Sequence, residues 1–167
     1  MQTTDTKFRA ETREEVLAWV AKIAPIHLRL FQRIYSGLGT PRQGIRAFCL
    51  LCNGFPKSDL CNASECPLWG HRPYRVGQDA FKGSENVCTA QNLTEKQAIA
   101  LKQVSEDAPG KLALFESVFC HISTPRKVIK AKCLECTCHD ECAIGSCSHN
   151  ACPIWQWRPY QHHKAKD

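Results

Sequence analysis

The segment TPRQGIRAFCLLC beginning at Thr40 returns as TPRKVIKAKCLEC beginning at Thr124, 84 residues later, and this internal repeat constrains the fold more than any other feature of the chain. What one copy needs in order to fold, the other needs too. Upstream, at the same offset, Leu17, Val20, Ala24, Pro25, Leu28, Leu30 and Phe31 return as Leu101, Val104, Ala108, Pro109, Leu112, Leu114 and Phe115. Downstream, CNASECPLWGHRPY from Cys61 returns as CSHNACPIWQWRPY from Cys147 at an offset of 86, which puts two extra residues inside the second cysteine-rich loop.

The periodicity within each copy is helical. Thr12 with Glu15, and Thr94 with Gln97, have the spacing of capping boxes, in which both side chains satisfy the orphan amides of a first turn. Val16, Leu17, Val20 and Ile23 then recur at helical spacing. A second helix is expected to open at Pro25 or Pro109, with Leu30, Phe31, Ile34 and Tyr35, or Leu114, Phe115, Val118 and Phe119, as its core stripe. Thr40-Pro41 and Thr124-Pro125 read as an N-cap with a first-turn proline, opening a short third helix that delivers a cysteine pair. Nothing alternates with the period of a strand. The expected organisation is an N-terminal tail (1–11), a first unit (12–75), a Gly-, Ser- and Asn-rich linker (76–93), a second unit (94–161) and a C-terminal tail (162–167).

The chain has 12 cysteines, and their spacing is that of zinc ligands. Cys49, Cys52, Cys61 and Cys66 form C-x2-C-x8-C-x4-C; Cys133, Cys136, Cys147 and Cys152 form C-x2-C-x10-C-x4-C. A C-x2-C pair places two thiolates on one turn, and a second pair completes a tetrahedron with no position left for water, so two structural zinc ions are expected. Disulfides and an iron–sulfur cluster are the competing readings. The second loop also holds Cys138, His139, Cys142 and His149, any of which could replace a ligand; Cys147 and Cys152 are preferred because they align with Cys61 and Cys66. Cys88 reads as a spare thiol and Cys120, which replaces Ser36, as a small buried residue. His27, His71, His121, His162 and His163 read as ordinary polar residues. Trp69 and Trp155, in Cys-Pro-x-Trp, are expected to cover the thiolates rather than stack on bases, with Arg72 and Arg158 bonding the thiolates or stacking on the aromatic rings. The fold class is therefore mainly α: two tandem homologous three-helix units, each with a four-cysteine zinc knuckle. Units this small need such staples.

The formal charge of +6 invites a nucleic-acid reading, but two four-thiolate zinc sites would bring it to about +2. The basic residues concentrate on the third helix of each unit, as Arg42 and Arg46 in the first and Arg126, Lys127 and Lys130 in the second, with Lys132 beside them. Such a strip suits phosphate contacts, and it suits a solvated face equally well. HExxH, H-x-E with P-C-x-x-C, P-loop, GxSxG and GxGxxG motifs are absent, so no enzyme and no small-molecule substrate are expected. The longest apolar stretch, from Val16 to Ile26, is too short to span a bilayer and is broken by Lys22. With no basic start or apolar run of a signal peptide, a reducing cytoplasmic setting is expected.

The repeated PR-x2-I-[RK]-A-x-C-L-x-C, followed by C-x4-C-P-[LI]-W and an arginine, resembles small cysteine-rich proteins of bacteriophages and proteobacterial prophages. The likeness covers roughly 40–75 and 124–161. It implies a phage or prophage origin and the cytoplasm of a bacterial host, and brings no activity with it. Members of that group carry one copy, and the duplication departs from the pattern. Two functions stand: a nucleic-acid-binding module, and a protein-binding adaptor or inhibitor of a host or defence factor.

Overall fold

The computed structural model describes residues 10–55, 61–73, 93–120 and 123–161; nearly all of the expected linker and tails lies outside them. Among the described residues there are seven α-helices and no strand: α1 (Arg13–Ile23), α2 (Leu28–Tyr35), α3 (Pro41–Asn53), α4 (Glu95–Asp107), α5 (Leu112–Phe119), α6 (Pro125–Cys136) and α7 (Glu141–Gly145). None of these helices is long and apolar enough to cross a membrane.

The helix starts follow the local chemistry. Both expected capping boxes form, Thr12 with Glu15 and Thr94 with Gln97. Thr40 forms a third with Gln43, donating its backbone N–H to Oε1 at 2.9 Å. Thr124 caps α6 one way only, because Lys127 in the reciprocal position has no acceptor to offer. Pro25 and Pro109 do not open α2 and α5 directly. Each begins a short 3-10 turn, Pro25–His27 or Pro109–Lys111, and the α-helix follows it.

The two halves stop their third helices differently. Gly54, at φ 71°, ends α3 in the left-handed conformation that suits glycine. After α6, Cys138 and His139 both adopt positive φ, 50° and 69°, a conformation costly for residues with a Cβ. The turn is held by the His139 N–H donating to the Leu134 carbonyl at 2.7 Å and by Thr137 Oγ1 donating to the carbonyls of Cys133 and Asp140. Asp140 then caps α7, accepting from the N–H groups of Cys142 and Ala143.

Packing crosses between the halves of the chain. One core gathers Val16, Val20, Phe31, Ile34, Ala47 and Leu50 from α1–α3, together with Ala151 from the second cysteine loop. The other gathers Val104, Phe115, Val118, Phe119, Val128, Ile129 and Leu134 from α4–α6, together with Ile45, Cys49 and Leu68 from the first half. Each fully buried side chain of this size contributes about 1.5–3 kcal/mol of transfer free energy. At the α3–α6 seam, residues at equivalent positions of the repeat meet. Ile45 and Ile129 are both fully buried in one core, and the Lys132 ammonium sits 5.8 Å above the ring of Phe48.

The loops dock crosswise. Ser64 Oγ lies 2.9 Å from Thr94 Oγ1, so the first cysteine loop meets the start of α4. The second loop meets α1 and α2: Arg13 Nε donates to the Asn150 carbonyl at 3.1 Å, and the Tyr35 hydroxyl to the Ala151 carbonyl at 2.6 Å. Beyond it, Trp157 packs closely against α3, where a Cβ built on Gly44 would fall 2.1 Å from the indole ring.

Candidate metal centres

Each cysteine quartet is assembled from a helix end and a loop. Cys49 and Cys52 come from the last turns of α3, and Cys133 and Cys136 from those of α6. Cys61 and Cys66, and Cys147 and Cys152, come from the loops that lead into the short 3-10 turns Trp69–His71 and Trp155–Trp157. All eight are free thiols, as are Cys138 and Cys142. Cys120 is disulfide-bonded, where a small buried residue was expected. Cys88 lies outside the described residues.

The thiols of each quartet lie close enough to act on one another. Burial, then the charges of Cys66, Cys52 and Cys61, push Cys49 up to about 12, with Arg72 opposing. In the second quartet, burial and the charges of Cys152, Cys136 and Cys147 push Cys133 up to about 12, with Arg158 opposing. Cys66 rises to about 11 and Cys152 to about 12, burial being the largest cause for both. Among the described residues, no group of three or more His, Cys, Asp or Glu side chains is drawn into a metal-holding cluster.

Other features of the structure suit bound thiolates. The Leu68 N–H beside Cys66 and the Ile154 N–H beside Cys152 oppose the rise and favour the charged form of each, while the Trp155 N–H donates to the Cys152 carbonyl at 3.0 Å. Arg158 Nε is buried without a hydrogen-bond partner, on a guanidinium whose charge bears on Cys133. That arrangement suits an anionic neighbour better than a neutral thiol.

The tryptophans and arginines form matched stacks. Arg72 lies 4.0 Å from the centroid of Trp69 and Arg158 4.0 Å from that of Trp155. Trp69 Nε1 donates to the Cys61 carbonyl at 3.4 Å and Trp155 Nε1 to the Cys147 carbonyl at 2.9 Å, so each ring is bound to its own cysteine loop. Trp155 also has Arg13 at 5.4 Å, which leaves it poorly placed to receive a base.

Exposure does not divide the cysteines of the second loop: Cys136 is exposed, and so are Cys138, Cys142 and His149. His139 turns inward, edge-on to Phe115 at 5.6 Å. The thiols that couple to one another there are Cys133, Cys136, Cys147 and Cys152. Lys132 links the two centres, since its charge bears on Cys66 of the first and Cys136 of the second while it pairs with Glu135 at 2.6 Å. No periodicity or spacing marks that bridge.

The basic strip divides. Arg42, Arg126 and Lys127 are exposed. Arg46 is half-buried, where its charge joins burial in lowering the pKa of His27, and Lys130 is half-buried, 4.9 Å from the Tyr160 centroid. No protein-family model, curated protein or solved structure matches the chain.

Proposed function

We propose that this is a non-enzymatic protein of phage or prophage type, built of two homologous units, the first of three helices and the second of three with the short α7 added, each closed by a structural zinc ion, that binds nucleic acid through the starts of α3 and α6. The carrying observation is that Arg42, Arg126 and Lys127 are exposed in the first turns of two helices, neither of which has an acidic residue there. A helix start carries partial positive charge, and added guanidinium and ammonium groups make it a phosphate contact that does not depend on base sequence. Arg46 and Lys130, already engaged, contribute less. Zinc would be held by Cys49, Cys52, Cys61 and Cys66, and by Cys133, Cys136, Cys147 and Cys152. The mutual coupling of these thiols and the amides beside Cys66 and Cys152 support that assignment.

Fluorescence anisotropy with random duplex DNA, single-stranded DNA and RNA across a salt series tests the reading. Binding is expected to fall steeply with salt, and the triple variant Arg42→Glu/Arg126→Glu/Lys127→Glu to bind every sequence more weakly and with a flatter salt dependence. Absence of binding at about 50 mM salt overturns it.

A second reading, an adaptor or inhibitor that docks on a host or phage protein, has one observation of its own. Ile23 and Ile26 stand 51% and 85% exposed around the turn between α1 and α2. Exposed aliphatic side chains side by side suit a protein interface better than a phosphate backbone. A partner retained after nuclease treatment and lost with Ile26→Asp would favour it.

A further inference from the structure

The repeat supplies its own reference for one place where the halves differ. In the second half, the seam between the start of α4, the end of α5 and the first cysteine loop is closed: Gln97 is 3% exposed and Phe119 4%. The equivalent positions in the first half are Arg13 and Tyr35, both half-buried. There the seam between α1, α2 and the second cysteine loop holds a cleft of about 270 Å³, with Arg13, Tyr35, Asn150, Trp155 and Gln156 on its walls, together with Cys152 of the second quartet.

Arg13 is fixed in this cleft before any ligand arrives. Nε donates to the Asn150 carbonyl at 3.1 Å and one terminal nitrogen to the Tyr35 carbonyl at 3.3 Å. The guanidinium carbon lies 5.7 Å from the Tyr35 centroid and 5.4 Å from that of Trp155. Two of its five N–H groups are used, both partners are neutral carbonyls, and no ion pair joins Arg13 to a carboxylate among the described residues. A half-buried guanidinium held by two neutral carbonyls, with no carboxylate partner among the described residues and N–H groups to spare, is matched by a planar or tetrahedral oxyanion.

We propose that this cleft is a binding site for a small oxyanion ligand, a phosphate or carboxylate group on a body no larger than the cleft, received by the remaining N–H groups of Arg13. The site is separate from the exposed Arg42, Arg126 and Lys127 and does not depend on the nucleic-acid reading.

Isothermal titration of the full chain with inorganic phosphate, AMP and succinate tests it, the first two against the third separating phosphate from carboxylate. At least one probe is expected to bind saturably at one site per chain. Arg13→Gln, which installs the residue of the closed half, is expected to weaken that binding about 10-fold or more. Arg13→Lys, which keeps the charge without the fork, is expected to fall between. The triple variant Arg42→Glu/Arg126→Glu/Lys127→Glu is expected to bind the probe as the parent does. Circular dichroism of each variant separates loss of the site from loss of the fold. No saturable binding of any probe at about 10 mM, where even a weak site would fill, overturns the proposal. So does a folded Arg13→Gln variant that binds as the parent does.

Discussion

Gly44 and Trp157 show how a single position can differ between two copies of one sequence. At the position equivalent to Gly44 the second half has Val128, fully buried, and at the position equivalent to Trp157 the first half has His71. The indole occupies the space a side chain at position 44 would need. Gly44→Val is therefore expected to destabilise the protein by about 1–3 kcal/mol, the range for overpacking. Trp157→His made with it should recover part of that loss, and denaturant unfolding of the two single variants and the double variant measures the coupling. This contact could not be read from the sequence, where Gly44 is an unremarkable helix residue whose neighbour lies more than 100 residues away. Thr12 and Thr94 are readable because a capping box closes within four residues, and Thr40 because a proline follows it, although its own box with Gln43 came only with the structure. Asp140 was not read as the cap of α7, because the cysteine-rich composition around it hides so short a helix.

At the scale of elements, the spacing of cysteines and prolines carried the design of each loop, while the ligand set of the second loop is a matter for experiment. Cys136 is exposed, as Cys138 and Cys142 are, and what sets it with the quartet is that its charge acts on Cys133 and Cys152. Cys133→Ser and Cys147→Ser are expected to lower the bound zinc from two ions to about one, and Cys138→Ser and Cys142→Ser to leave two, by metal analysis and cobalt substitution spectra. The thiol pKa values set the pH dependence. In the metal-free fold, burial raises Cys49, Cys133 and Cys152 to about 12, above the ordinary value of about 8.5. A raised acid favours its protonated form, so these groups stabilise the metal-free fold below pH of about 8.5 and that contribution is lost as pH climbs toward about 12. Zinc needs thiolates, so the loaded protein has the opposite dependence and releases metal on acidification. Melting curves across pH with and without chelator should therefore diverge in opposite directions. Matching curves would show that the thiols hold no metal.

The whole molecule is tied together by the crossing of its loops, and the repeat gives no hint of that. Local spacing specifies a helix, a turn or a quartet, but which half a loop docks on depends on shape and burial across the seam. Here Ala151 enters the core of α1–α3, and Leu68 that of α4–α6. Lys132 carries charge between the two centres, and Ile45 and Ile129 share one core. On the proposed zinc assignment, a loop that loses its metal withdraws support from the opposite half. In Cys147→Ser, hydrogen exchange is expected to accelerate in α1 and α2, whose residues Arg13 and Tyr35 the second loop binds, as well as near α6. Removing about 1–2 kcal/mol of docking would raise exchange there roughly 5- to 30-fold. Acceleration confined to the second half would mean that the loops rest on their neighbours without stabilising them. Acceleration in both halves would make the two zinc ions partners in one folding unit, each binding more tightly when the other is present.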